Sequence, residues 1–365
     1  MRTADIIVIG AGMAGCGAAA RMSAHANVVV LEAEERPAYH TTGRSAAVFI
    51  LNYGNDVIRV FNAASEETFR TGADLSENGF LSPRGVLEVE EPGQSEAFED
   101  FIAGSNGLQI LNVQETLELF PICRPEMVVR SAYEPDASDI DVDALLQSFI
   151  RILRANGSQI VPNARVSALQ RTGDIWRAET PTGSFEAPIV VNAAGAWGDV
   201  VARLAGIEPV GLTPCRRTIA VVPVPDDMDA TRWPVTASIG ETWYAKPDGG
   251  RLWVSPADED PVEPHDAYPD DMIMAEGLHR FSEATTFEVK RVENSWAGLR
   301  TFAPDRTLVN GWEPDADGFF WLVGQGGYGI QTAPAMSQLA ADLVLDHAPV
   351  VAQDTIQAVS PARFR

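Results

Sequence analysis

The chain has 365 residues, too many for one ordinary hydrophobic core and enough for two domains. With 27 basic and 51 acidic residues its formal charge is -24, which repels polyanions such as DNA or an anionic membrane surface. Cys16, Cys123 and Cys215 are scattered, as are the histidines, so neither a disulfide framework nor a structural metal is expected; no apolar run is long enough to span a membrane, and a cytoplasmic protein is expected.

Residues 5–9, Asp-Ile-Ile-Val-Ile, suit a strand buried on both faces, and Gly10-Ala11-Gly12-Met13-Ala14-Gly15 follows directly. Residues 16–22 are alanine-rich and read as helix; residues 27–31 are a second strand, closed by Glu32 and Ala33. A dinucleotide needs this order. Gly10 makes the tight turn, Gly12 admits the pyrophosphate, Gly15 brings helix and strand together, and the helix N-terminus offers free N–H groups. Glu32 can accept the hydroxyls of the adenosine ribose and disfavours a 2′-phosphate. This unit alone leaves FAD and NAD both open.

Next comes His40-Thr41-Thr42-Gly43-Arg44-Ser45-Ala46-Ala47, then Ser82-Pro83-Arg84-Gly85-Val86-Leu87-Glu88. Residues 143–156 read as helix, and strands 158–161 and 164–169 flank a Pro162-Asn163 turn. Residues 214–224 read as a strand, 241–246 and 251–255 as a hairpin about residues 247–250, and 287–292 as another strand. Between them, residues 258–271 hold seven carboxylates, read as a solvated surface loop rather than a lid for cationic substrates. Residues 318–323 read as a strand and 331–346 as a helix with Pro334 in its first turn.

Four blocks together resemble the D-amino-acid oxidase-like FAD-dependent oxidoreductases, most nearly the D-arginine dehydrogenase type. They are the opening glycine unit with His40–Ala47, the run Ile189-Val190-Val191-Asn192-Ala193-Ala194-Gly195-Ala196-Trp197, the block Trp296-Ala297-Gly298-Leu299-Arg300, and Gly324-Gln325-Gly326-Gly327-Tyr328-Gly329-Ile330-Gln331. The likeness spans nearly the whole chain. It implies an α/β fold: a Rossmann-like FAD-binding domain assembled from residues 1–47, 139–213 and 303–365, and an α+β substrate domain from 48–138 and 214–302 with a mostly antiparallel sheet. It implies non-covalent FAD held by Gly10, Gly12, Ala14, Gly15, Glu32, Ala33, Thr41, Thr42, Gly43, Arg44, Ser45, Ala46, Ala47, Val166, Ala194, Gly195, Trp197, Gly326, Gly327, Tyr328, Gly329, Ile330 and Gln331.

The resemblance further implies oxidation of a D-amino acid by hydride transfer from Cα to the flavin, with a quinone or oxygen taking the electrons. Arg300 is the first candidate for the substrate carboxylate, because a guanidinium fork matches a carboxylate; Arg217 is the second, and Tyr53, Tyr244 and Gly327 complete the site. His40 is read as part of the flavin segment rather than a base. Arginine-specific relatives carry a histidine and an acid where this chain matches Val48 and Val86, so neutral or hydrophobic side chains are expected, unless Glu88, two residues on and on the same strand face, restores the charge. Sarcosine-oxidase-like relatives place a lysine over the flavin where Leu252 is matched, which favours a dehydrogenase. Beside this reading stand oxidation of a secondary amine such as sarcosine or a D-proline-like substrate, more distantly a 2-hydroxy acid oxidoreductase, and a flavin-containing subunit of a hetero-oligomer without activity of its own.

Overall fold

An aliphatic run with no polar edge must be covered on both faces, and Ile6–Ile9 lies inside a six-stranded sheet. In this computed structural model, which describes residues 2–365, the sheet order is Gln159–Val161, Val28–Leu31, Ile6–Ile9, Ile189–Asn192, Phe319–Val323, Val309–Trp312. The first four pairings are parallel and the last antiparallel. Helices Met13–Met22, Val142–Ala155 and Ala333–Val344 cover one face. Ala18, Ala19, Ala20, Ala340 and Ala341 are buried, so small side chains let the first and last of these helices approach closely. The other face packs on a small sheet that includes Ala168–Thr172, Ile175–Thr180 and Gly183–Ala187.

The second large sheet has nine strands, in the order Gln325–Gly326, Asn294–Phe302, Thr213–Pro223, Arg251–Ser255, Tyr244–Asp248, Val235–Ser238, Val86–Glu90, Arg130–Glu134, Gln109–Leu111. Only the pairing of Val235–Ser238 with Val86–Glu90 is parallel. Leu87, Val89, Val222, Ala245, Leu252 and Val254 point to one side and form a core with Phe281 and Phe287. By alternation and register the opposite side carries Arg217, Arg300, Trp253, Tyr244, Lys246, Val86, Glu88 and Glu134. The hairpin closes through Gly249 and Gly250, both with positive φ (55° and 74°), as a two-residue turn of this hand requires.

Two sequence-based strands differ. Residues 164–167 are not ladder: the Ala164 and Asn163 N–H groups donate to the carbonyls of Glu32 (2.7 Å) and Glu34 (2.9 Å), and the strand begins only at Ala168. Residues 287–292 form no strand either; Phe287 is buried beneath the sheet without a ladder partner, and the strand starts at Asn294. The helix opening at Gly12 starts earlier than the alanine run alone suggests, at Met13.

The passage from one sheet to the other is pinned by Asp199. Its buried carboxylate accepts from the N–H groups of Val210 (3.2 Å), Gly211 (3.1 Å) and Leu212 (2.7 Å), just before strand Thr213–Pro223. Asp199→Ala strands these donors and is expected to destabilise the fold by about 2–4 kcal/mol. A urea midpoint equal to wild type would refute this anchoring role.

Candidate active site

The glycine turn is too tight for side chains. Gly10 has φ +105°, and a Cβ there would sit 2.5 Å from the Ala193 carbonyl oxygen; a Cβ on Gly15 would overlap the Gly10 carbonyl. Gly12 caps helix Met13–Met22 with no side chain of its own, leaving the helix N–H groups to other acceptors. One of them, from Met13, reaches the Thr42 hydroxyl at 3.0 Å. Glu32 is buried. Its Oε2 accepts from Ala11 N–H (2.7 Å) and its Oε1 from Glu34 N–H (2.9 Å), which leaves each oxygen capacity for a ribose hydroxyl. Ala14 and Ala33 flank this cradle half-buried, and Val166 packs on the same core. Glu34 also holds Arg165 at 2.8 Å and His40 at 3.1 Å. The His40 ring packs 4.6 Å from that of Trp197.

Thr41–Arg44 forms a 3₁₀ turn laid along strand Asn294–Phe302. Thr41 donates to the Leu299 carbonyl (2.8 Å), Arg44 donates to the carbonyls of Ala267 (2.8 Å) and Ala297 (3.1 Å), and the Trp296 indole donates to the Arg44 carbonyl (2.9 Å). Ser45 closes the turn on the Thr42 carbonyl at 3.1 Å, and Gly43, Ala46 and Ala47 lie half-buried or exposed along it. Ala194 and Gly195 turn beside Gly10, with Gly195 at φ +54°. Gly326 (φ +51°) pairs with Thr301, and Gly329 and Ile330 lead to Gln331. The Gln331 amide accepts from Ile50 N–H (3.1 Å) and donates to Asn62 (2.8 Å), tying this loop to the segment bearing Tyr53.

At the far end of that loop the expected substrate residues meet. Arg300 donates to the Tyr53 hydroxyl at 3.3 Å. A Cβ on Gly327 would lie 2.8 Å from that hydroxyl and 3.0 Å from the Arg300 Cζ, so a side chain there would displace both groups. Tyr328 packs edge-on against Tyr53, ring centroids 6.1 Å apart, and donates to the Arg306 carbonyl. Arg217 is buried and its Nε has no partner; burial and the like charge of Arg300 hold its pKa below that of an ordinary arginine. Tyr244 stands half-buried on the same sheet face, and both tyrosines lie near enough to act on the two guanidiniums.

Beside Tyr53 a small cavity of about 30 Å³ is lined by Ile50, Asn52, Val86, Glu88, Phe101, Leu108, Ala132 and Glu134. Val86 supplies the expected apolar wall, but Glu88 faces the same space. Glu134 is engaged by Leu51 N–H (3.0 Å) and the Asn52 amide (2.7 Å). Leu252, matched to the lysine of oxidases, is fully buried in the core on the other side of the sheet, which corrects that assignment; the strand neighbour on the substrate side is Trp253. Two residues escaped the sequence reading. Lys246 is buried, 3.0 Å from Asp139 and 3.3 Å from the Ala47 carbonyl; only strand register places it here. Glu259 contacts Arg217, although the acidic loop was read as solvated.

Residues 5–343 match the FAD dependent oxidoreductase (DAO) family, so the chain belongs to that family and its cofactor is FAD; the glycine cradle and Glu32 fit that dinucleotide. The chain is 22% identical to mitochondrial sarcosine dehydrogenase of Mus musculus, over 95% of this chain and 40% of that enzyme, so it spans well under half the length of that relative. Its fold is similar to L-proline dehydrogenase from P. horikoshii (TM-score 0.84, 19% identity, 100% and 98% of the two chains). It is also similar to an FAD-bound L-alpha-glycerophosphate oxidase from Mycoplasma pneumoniae (TM-score 0.85, 21% identity, 94% and 95%). These matches do not single out the D-arginine type. No helix among the described residues is long and apolar enough to cross a membrane.

Burial, with Glu241 and Glu134 nearby, pushes Glu88 up to about 8 from 4.5. Between those values folding takes up a proton, so the fold loses stability as pH rises through that window. Glu88→Gln removes this term. The variant's advantage in Tm over wild type is expected to be larger near about pH 9 than near about pH 5. A gap that does not change with pH would refute the environment described for Glu88.

Proposed function

We infer that this chain oxidises a small α-amino acid at Cα, the substrate held by its carboxylate between Arg300 and Arg217. The observation that carries the reading is Arg217, a buried cation whose Nε–H has no acceptor, beside a second guanidinium. Two like charges in a half-closed site call for an anion, and a carboxylate accepts from both forks. Tyr53 adds a hydroxyl to the same anchor, and Tyr244 and the Gly327 backbone wall it. Together these residues fix the Cα–H in one orientation and shed water around it. Bound FAD would supply the acceptor for the hydride, which carries both electrons. The amine gives up a proton, the C–N bond becomes an imine, and water hydrolyses it to a keto acid and ammonia or an amine.

Within this class the D-configured amino acid with a neutral side chain is the leading substrate, from the motif likeness and from Val86 at the position where arginine-specific relatives carry an acid. A secondary amine such as sarcosine or proline is the second reading, supported by the names of the mouse and P. horikoshii proteins. Dehydrogenase is preferred to oxidase. The name of the mouse relative, a dehydrogenase, supports this.

The test is anaerobic mixing of the FAD-loaded protein with D- and L-amino acids, sarcosine and proline. Bleaching of the flavin band is expected with D-amino acids, and slow recovery in air marks a dehydrogenase. No bleaching by any amine sinks the reading. Arg300→Met is expected to lower kcat/KM by about 10- to 100-fold, the loss of one charged hydrogen-bonded contact. An Arg300→Met enzyme with wild-type kcat/KM would remove Arg300 from the site.

A further inference from the structure

The loop after strand Arg251–Ser255 is rich in acid, and sequence alone reads it as solvated. The structure shows it bolted down. Asp258 is 2% exposed at its side chain and accepts from Thr218 through both N–H (2.7 Å) and hydroxyl (2.8 Å). The Arg216 N–H donates to the Asp260 carbonyl (3.0 Å) and Val262 N–H to the Pro214 carbonyl (2.9 Å), so residues 258–262 run as an extra edge beside strand Thr213–Pro223. In such an extended run successive side chains alternate. Asp258 and Asp260 both turn to Arg216; Glu259, between them, turns to Arg217.

Glu259 is therefore delivered to the substrate side by a rigid frame. Its Oε1 and Oε2 accept a two-pronged fork from Arg306 at 2.7 and 3.1 Å, and its Oε2 lies 3.5 Å from the Arg217 Nη2. Among the described residues this is the single polar contact that the Arg217 guanidinium makes, and its Nε edge stays bare.

We propose that Glu259 is a positioning residue: it holds the Nη2 edge of Arg217 so that the unpartnered Nε edge is presented, beside Arg300, to the substrate carboxylate. This rests on the carboxylate site proposed above and adds how that site is kept in shape. A guanidinium is planar, so one held edge sets the direction of the others. Without it, Arg217 is a buried cation pressed by Arg300 with nothing to fix its plane. Glu259 also carries a negative charge, which on its own would weaken binding of an anion. That charge is already matched by the Arg306 fork, at shorter distances than its contact with Arg217. The orienting effect therefore outweighs the repulsive one, and removal of Glu259 weakens carboxylate binding.

The test uses the FAD-loaded protein, with acetate as a carboxylate that cannot be oxidised, its Kd read from the perturbed flavin absorbance. Glu259→Ala is expected to weaken acetate about tenfold, and Glu259→Gln, which keeps an acceptor, by less. Arg306→Gln touches neither the substrate nor Arg217, yet frees the Glu259 fork; it is expected to weaken acetate in the same direction. The double variant Glu259→Ala/Arg306→Gln is expected to be no worse than Glu259→Ala alone, because both act through one chain of contacts. With the best substrate from the amine screen, KM rises while kcat stays within about twofold, since orientation of bound carboxylate is lost and not the chemistry.

An unchanged or tighter acetate Kd in Glu259→Ala overturns the proposal. If that variant does not fold, unchanged affinity in both Glu259→Gln and Arg306→Gln overturns it equally. Arg217→Met and Arg300→Met separate the two ideas. If they weaken acetate while the Glu259 and Arg306 variants do not, the positioning role fails and the carboxylate site stands. If wild type binds no acetate and fails the amine screen, the site itself has been misread.

Discussion

The arrangement depends on two guanidiniums held on one sheet face, one of which, Arg217, is buried with its Nε–H unpartnered. Cys215 pairs with Arg300 and Arg217 with Gly298, so the arginines sit one step apart on neighbouring strands and point the same way. Side by side in a half-closed space, two cations are costly unless an anion joins them. The surrounding structure meets part of that cost: Glu259 reaches Arg217 and the Tyr53 hydroxyl accepts from Arg300. The remaining Arg217 Nε–H has no acceptor, which sets the pair apart from a plain ion-pair network.

The same strand pair serves the cofactor segment. Gly298, opposite Arg217, has no side chain, and a Cβ there would already touch Arg44 at 3.6 Å and Thr41 at 3.9 Å. Residues 41–44 lie directly on this ladder, bonded to the carbonyls of Ala297 and Leu299. Arg300, proposed for the substrate carboxylate, and the backbone that holds residues 41–44 are thus on a single strand, and one register sets both. The loop after Phe319–Val323 completes the link, because it leaves the parallel sheet and joins the antiparallel one at Gln325–Gly326 within two residues. Loops alone place such groups less sharply than strands do.

Much of this was legible in the sequence where local chemistry dictates it. Gly10 and Gly15 announce a turn that no other residue can make, and Glu32 declares itself by its place after a strand. Arg300, Arg217, Tyr53 and Gly327 came from motif likeness, and they do converge. What stayed hidden depends on register. Leu252 and Trp253 are neighbours in sequence yet face opposite sides of the sheet, and an alignment slip of one residue exchanges core for site. Glu88 shows the same parity in reverse: two residues from Val86, it looks into the same cavity. Glu259 was invisible because acidic composition says solvent, while the bridges to Pro214 and Arg216 that fold the loop back are long-range. Residues 287–292 alternate like a strand but find no partner edge, which propensity alone cannot report.

Lysine is scarce here: Lys246 and Lys290 stand against 25 arginines in the chain. Lys290 is largely exposed, 75% at its side chain, whereas Lys246 is 7% exposed. Burying a compact, strongly hydrated ammonium is harder than burying a guanidinium, so its position needs a structural reason. Lys246 stands 5.6 Å over the Trp253 ring, 3.0 Å from Asp139 and 3.3 Å from the Ala47 carbonyl. Asp139 in turn holds Arg84 at 2.7 Å and belongs to the short strand Ser138–Ile140 that pairs with Val48–Phe49. A single ammonium therefore joins the end of the cofactor segment, the strand that follows it and the substrate sheet at one point. A guanidinium is broader and planar, and could not meet a carbonyl, a carboxylate and a ring face from three directions as a rotatable ammonium can. That geometric demand accounts for lysine at this position in a chain that uses arginine almost everywhere else.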